Sequence, residues 1–205
     1  MGGRGADSGR AGGATGGLNT NDILSTTSLI SERETKGALV DETMAVFKDV
    51  FDEYGDTVND IQLATLKPGA NALAYYDSNG NVAINQAFFN KNMESAYKQS
   101  VESGFHPSNG NKTALQAVTA HELGHRLTDA ISTKMGYNGF KGLDKAASRV
   151  IKESGVKSVG KISGYAKHSH AEALAEAFSD VYCNGTKASR VSKSIVKTMN
   201  KYLKD

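Results

Sequence analysis

His121, Glu122 and His125 stand in the order H-E-x-x-H. Residues four apart on a helix lie on one face, one turn above the other, so two imidazoles at this spacing can converge on a single metal ion. Zinc suits such a pair, because it takes nitrogen and carboxylate ligands in a tetrahedron. Glu122, beside the first histidine, can then reach an activated water and serve as general base. The competing explanation is an ordinary surface helix with a histidine pair. The context favours chemistry: Ala114, Leu115, Ala117, Val118 and Ala120 lead in, Leu123 and Leu127 follow, and no proline interrupts the helical pattern.

Catalytic zinc needs a third protein ligand. The extended pattern H-E-x-x-H-x-x-G-x-x-H is absent, since Thr128 and Ile131 occupy its last two defined positions. A carboxylate on a second helix is the other source, and Glu172-Ala173-Leu174-Ala175-Glu176 offers two, one turn apart. One of them can bind the metal. The other can accept a hydrogen bond from the far ring nitrogen of a ligand histidine and fix its tautomer. Solvated charges on an amphipathic helix would be the usual reading of such a pair. The ligand that H-E-x-x-H lacks tips the balance.

These groups need two helices in contact and a scaffold to hold them. Thr113 opens a helix running to about Ile131, and Ser169 or His170 opens another to Tyr182. Alanines at 171, 173, 175 and 177 would let the second pack close to the first, while Leu174, Phe178 and Val181 anchor it in the core. Further helices are expected over 41–54, stopped by Gly55, and over 88–101, 141–154 and 188–203. Ile61–Leu66 reads as a strand. The apolar runs 72–76 and 82–85, flanking Asp77-Ser78-Asn79-Gly80-Asn81, read as a β-hairpin. The fold class is α+β: a small, mostly antiparallel sheet beside the active-site helix and a second, ligand-bearing helix.

The chain of 205 residues suits a single domain over 21–205 behind a glycine-rich tail, 1–20, expected to be disordered. A net charge of +2, with Lys and Arg dispersed, lacks the basic patch of a nucleic-acid binder. Lys187, Lys193, Lys197, Lys201 and Lys204 read as the solvated face of the last helix. The single cysteine, Cys183, excludes an internal disulfide and reads as a small buried hydrophobe. No apolar run reaches membrane-span length and no secretory h-region follows Arg4 and Arg10, so a cytoplasmic location is expected, without membrane association. His106, before Pro107 in a loop, reads as exposed, and so do His168 and His170.

H-E-L-G-H, followed by Ser163-Gly164-Tyr165-Ala166 and then Glu172-Ala173-Leu174-Ala175-Glu176-Ala177-Phe178, resembles the gluzincin zinc peptidases. Among these it is most similar to the family typified by the catalytic domain of anthrax toxin lethal factor, in which a tyrosine precedes the ligand glutamate by seven residues. Tyr165 stands seven before Glu172 here. The resemblance covers roughly residues 70–185 and implies a zincin-like fold. It implies that His121, His125 and Glu172 bind Zn2+, that Glu122 is the base, that Tyr165 hydrogen-bonds the oxyanion and that Glu176 supports a ligand histidine. The 72–85 hairpin would then offer an edge for a peptide or protein substrate.

The opening Met1-Gly2-Gly3-Arg4-Gly5 also resembles the start of some phage and prophage head-associated proteins. That makes a phage head-morphogenesis or assembly protein, acting by binding, the second expectation. Phage structural proteins would be its partners and the virion its location, with metal contributing folding energy rather than catalysis. A toxin acting on a host protein is the third.

Overall fold

The computed structural model describes residues 20–55, 58–68, 70, 72–77, 79–90 and 92–204. The tail expected to be disordered lies outside the described residues, except for Thr20. The order of elements is β1 (Ile23–Ser28), α1 (Arg33–Tyr54), β2 (Ile61–Leu66), β3 (Ala74–Tyr76), β4 (Val82–Asn85), α2 (Asn92–Glu102), α3 (Ala114–Lys134), α4 (Gly139–Glu153), α5 (His170–Asn184) and α6 (Arg190–Lys204). The class is α+β, with six helices and one four-stranded sheet among the described residues.

The sheet runs β1-β2-β4-β3 and is mixed. β1 pairs antiparallel with β2, β2 parallel with β4, and β4 antiparallel with β3. The β3–β4 hairpin forms as expected. Asp77 shapes its turn by accepting from the backbone N–H groups of Asn79, at 2.8 Å, and Asn81, at 2.9 Å. β3 is an edge strand, yet Ala74, Tyr75 and Tyr76 are all buried.

β1 lies in 21–40, where the sequence reading assigns no element, and α1 begins at Arg33 rather than near Asp41, with a non-helical break at Lys36. α1 does stop at Gly55, whose positive φ of 65° lets its N–H return to Phe51 O at 2.7 Å. α2 starts at Asn92, after a turn, rather than at Phe88.

The core lies between the sheet and the helices. Leu63, Ile84, Leu123, Leu127, Ile131 and Leu174 are at most 2 % exposed within it. α3 runs through the middle, with α1, α2, α4, α5, α6 and the β3–β4 hairpin packed around it. The five late lysines are exposed on and just before α6, as the charge pattern predicts. Cys183 is half-buried, and burial pushes its thiol up to about 12, which suits an inert side chain. No helix among the described residues is long and apolar enough to cross a membrane.

Candidate metal centre

α3 starts where the sequence places it. Thr113 Oγ1 accepts from Gln116 N at 3.2 Å, and Gln116 Oε1 accepts in return from Thr113 N at 3.1 Å, a complete capping box. Two carboxylates sit at this positive helix end: Glu42 accepts from the Thr113 hydroxyl and Glu94 from Ala114 N. The helix is thus pinned at its N-terminus by α1 and α2. His121, Glu122 and His125 project from its buried middle.

α5 is pinned from outside as well. Ser169 caps it through Glu172 N at 3.0 Å, and Asp144 of α4 accepts from the N–H groups of His170, at 2.9 Å, and Ala171, at 3.2 Å. Glu172 therefore leaves the first turn of a fixed helix. The alanines at 171, 173, 175 and 177 are all 0 % exposed, as close helix packing requires. Ser179 Oγ donates to Ala117 O at 2.9 Å and ties α5 to α3.

These two helices bring His121, His125 and Glu172 together, with one ligand atom from each inside a span of 4.8 Å. His121 Nε2 lies 3.2 Å from Glu172 Oε2, and His125 Nε2 lies 3.3 Å from the same oxygen. A tetrahedral ion with bonds of about 2.0–2.2 Å holds its ligand atoms roughly 3.3–3.6 Å apart, and these two separations lie at the short end of that range, so the cluster could hold a metal ion. The unpartnered atoms fit as well. Among the described residues, His125 Nε2, Glu122 Oε2 and Tyr165 Oη are buried without a hydrogen-bond partner, and Glu122 and Tyr165 line one small cavity with His121. Atoms of this kind carry a desolvation cost that a cation and its water would relieve. His125 Nδ1 is also buried without a partner.

Glu176 plays a different part. Its Oε1 lies 2.8 Å from His121 Nδ1 and 2.9 Å from His106 Nδ1, and its Oε2 accepts from Ser163 Oγ at 2.6 Å. Burial alone would raise its pKa. The charge and hydrogen bonds of His106, then those of His121, outweigh this and hold the carboxyl down at about 2. An ionised carboxylate only accepts, so both Nδ1 atoms carry hydrogen. His121 is therefore held in the tautomer that presents Nε2 to a metal.

The remaining groups respond to the same setting. Burial would raise Glu172, but His125 and His121 beside it hold its pKa well below the usual carboxylate range. Burial opposes a charge on His121, yet its bonds to Glu172 and Glu176 raise its pKa well above the ordinary value. A metal ion competes with that proton for one lone pair. Glu122 is pushed up to about 8, chiefly by burial and also by Glu172 and Glu176, against the pull of His121 and of the nearby Tyr76 backbone. Burial, with the carboxylates of Glu172 and Glu122, keeps the Tyr165 hydroxyl protonated.

Tyr165 is 1 % exposed and its ring stacks on His121 at 5.7 Å between centroids. A cavity of about 20 Å³, lined by Leu73, Ala74, Val118, His121, Glu122 and Tyr165 among others, lies beside it. That is room for about one water molecule.

His168 and His170 are exposed, as expected, and stay outside the cluster: His168 faces Tyr165 O at 3.1 Å and His170 pairs with Asp144 at 3.0 Å. His106 corrects the sequence reading. It is 8 % exposed, stacked on Tyr97 at 5.5 Å and bonded to Glu176. Ser163 is the other participant that the sequence does not single out for a role. Comparison with protein-family models, with curated proteins and with solved structures finds no match.

Proposed function

We propose that this chain is a zinc-dependent endopeptidase of the gluzincin type, zincin-like in fold, with His121, His125 and Glu172 as its metal ligands. The observation that carries the reading is the His121, His125 and Glu172 cluster beside a cavity that His121 shares with Glu122 and Tyr165, each of which buries an unpartnered oxygen. A purely structural site has no use for a base and a hydroxyl donor beside it. When bound, zinc supplies Lewis-acid polarisation of the scissile carbonyl and lowers the pKa of water. Glu122 takes the proton of the attacking water and passes it to the leaving amine. Tyr165 donates its hydroxyl hydrogen to the oxygen that becomes negative. Glu176 keeps His121 in the ligating tautomer. The resemblance to the lethal factor family supports the same assignment and leaves a phage or prophage origin open to the second reading.

The decisive experiment compares metal content and turnover on a peptide library for wild type and Glu122→Gln. The expected result is about one zinc per chain in both, with hydrolysis lost by about 10²–10⁴-fold in the variant. Full activity in Glu122→Gln would refute the mechanism.

One observation favours the second reading, a phage assembly protein that uses metal for stability. The ligands are shut in: His121 is 7 %, Glu172 2 % and His125 0 % exposed, and the neighbouring cavity admits no peptide. Ligands buried this far from substrate suit a metal held for stability. Stoichiometric zinc without turnover on any peptide would select this reading.

A further inference from the structure

We infer that His106 is a positioning residue for the metal: through Glu176 it fixes His121, so a loop outside both ligand-bearing helices sets how tightly zinc is held. The inference rests on the metal-site part of the proposed function and not on catalysis.

Glu176 Oε1 is shared by two imidazoles, His106 Nδ1 at 2.9 Å and His121 Nδ1 at 2.8 Å, while Oε2 is taken by Ser163 at 2.6 Å. A carboxylate on a long side chain that bonded to His121 alone could still turn about its terminal torsions. Donors arriving from three separate segments leave it one orientation. That orientation sets the direction from which His121 Nδ1 is gripped and hence where Nε2 points.

His106 is itself held on several sides. Its ring stacks on Tyr97 at 5.5 Å with planes 10° apart, and it meets Tyr165 edge-on at 5.3 Å. Tyr97 in turn is fixed by its hydroxyl donating to Pro107 O at 3.2 Å. The backbone locks the two donor loops together, since Gly164 N donates to Gly104 O at 2.8 Å and Tyr165 N to Phe105 O at 3.0 Å. The approach is tight enough that a Cβ on Gly164 would meet Gly104 O at 3.2 Å. His106 and Ser163 therefore reach Glu176 from one rigid two-loop unit. His125 has nothing comparable: its Nδ1 is buried without a partner among the described residues. The brace acts on one histidine of the pair.

The test measures zinc affinity by competition with a chromophoric chelator, together with the visible spectrum of the Co2+-loaded protein, for wild type, His106→Phe and His106→Asn. Phe keeps a ring against Tyr97 and removes the donor. Asn restores an N–H near the Nδ1 position. Outer partners of ligand histidines typically contribute about 10–100-fold in metal affinity. The expected result is zinc binding weakened by about that factor in His106→Phe, with a shifted cobalt spectrum, and recovered to within about threefold of wild type in His106→Asn. Ser163→Ala, which leaves His106 and its stacking alone, is expected to weaken zinc in the same direction. Unchanged or tighter zinc binding and an unchanged spectrum in both His106→Phe and Ser163→Ala would overturn the inference. Both readouts are independent of turnover. Zinc binding without hydrolysis sinks the peptidase reading and leaves this test intact, whereas a wild type that takes up no metal overturns both.

Discussion

A Cβ atom built on Gly124 would lie 2.7 Å from Cα of Ala175, well inside van der Waals contact. The glycine within H-E-L-G-H is therefore where α3 and α5 touch backbone to backbone, one residue before the proposed ligand His125 and one turn from Glu172.

Gly124→Ala is expected to force the two helices apart, since the obstructing atom belongs to the main chain and cannot rotate away. Overpacking of this kind costs about 1–3 kcal/mol. Because Glu172 rides on α5, metal should be lost along with stability. Thermal unfolding and zinc content check this together. Full zinc occupancy in a variant with wild-type stability would show that the helices can shift without disturbing the site.

Glu172→Ala removes the one oxygen near both Nε2 atoms. Zinc affinity should fall by more than about 100-fold, beyond the range seen when outer partners of ligands are removed. In wild type a strong chelator should lower the thermal midpoint, because a ligand that binds only the folded chain stabilises it. Retained zinc in Glu172→Ala would reassign the third ligand.

Tyr165→Phe keeps the ring that stacks on His121 and deletes an unpartnered hydroxyl. Zinc content and folding should be unchanged, while kcat falls by about 10²–10³-fold, the usual cost of one oxyanion donor. The measurement is a steady-state assay on whichever peptide wild type cleaves. An unaltered kcat would remove Tyr165 from the chemistry.

Glu122 gives a pH prediction for protein stripped of metal. Its folded pKa, about 8, lies above the ordinary 4.5. A carboxyl raised in this way costs nothing below pH 4.5, where it is protonated folded and unfolded. The cost grows as pH rises from there toward 8 and is constant above, because the unfolded chain releases its proton first. Glu122→Gln removes the ionisation. Its thermal midpoint in chelator should match wild type near pH 4.5 and exceed it by a margin that widens up to about pH 8. A margin that shrinks over that range would mean the carboxylate is stabilised by its surroundings.

Much of the site is legible in the sequence because the spacing of its residues is local. H-E-x-x-H and the Glu172–Glu176 pair each declare themselves within a few residues, on helices with strong apolar periodicity, whereas Tyr165 is singled out only by the resemblance to the lethal factor family. His106 does not. A histidine between Phe105 and Pro107 in a loop has no periodic setting, and its burial comes from Tyr97, Tyr165 and Glu176, all distant in the chain. The adjacent Phe105 was the only hint. β1 was hidden for a related reason: Ile-Leu-Ser-Thr-Thr-Ser is mostly polar and exposed, and only pairing with β2 makes it a strand. The parallel β2–β4 contact was equally hidden, since β3 lies between them in sequence and outside them in space.

The pairing of β3 with β4 sorts the backbone groups of β3 by direction. Tyr75, paired with Ala83, directs its N–H and C=O toward β4, so Tyr76 directs its own to the free edge of β3. By the same alternation Ala74 also faces outward, so an added strand would find two backbone footholds there. β3 is only three residues long, so a chain seated on that edge alone gains few ladder bonds, and a lasting grip on it must come from side chains beyond the strand.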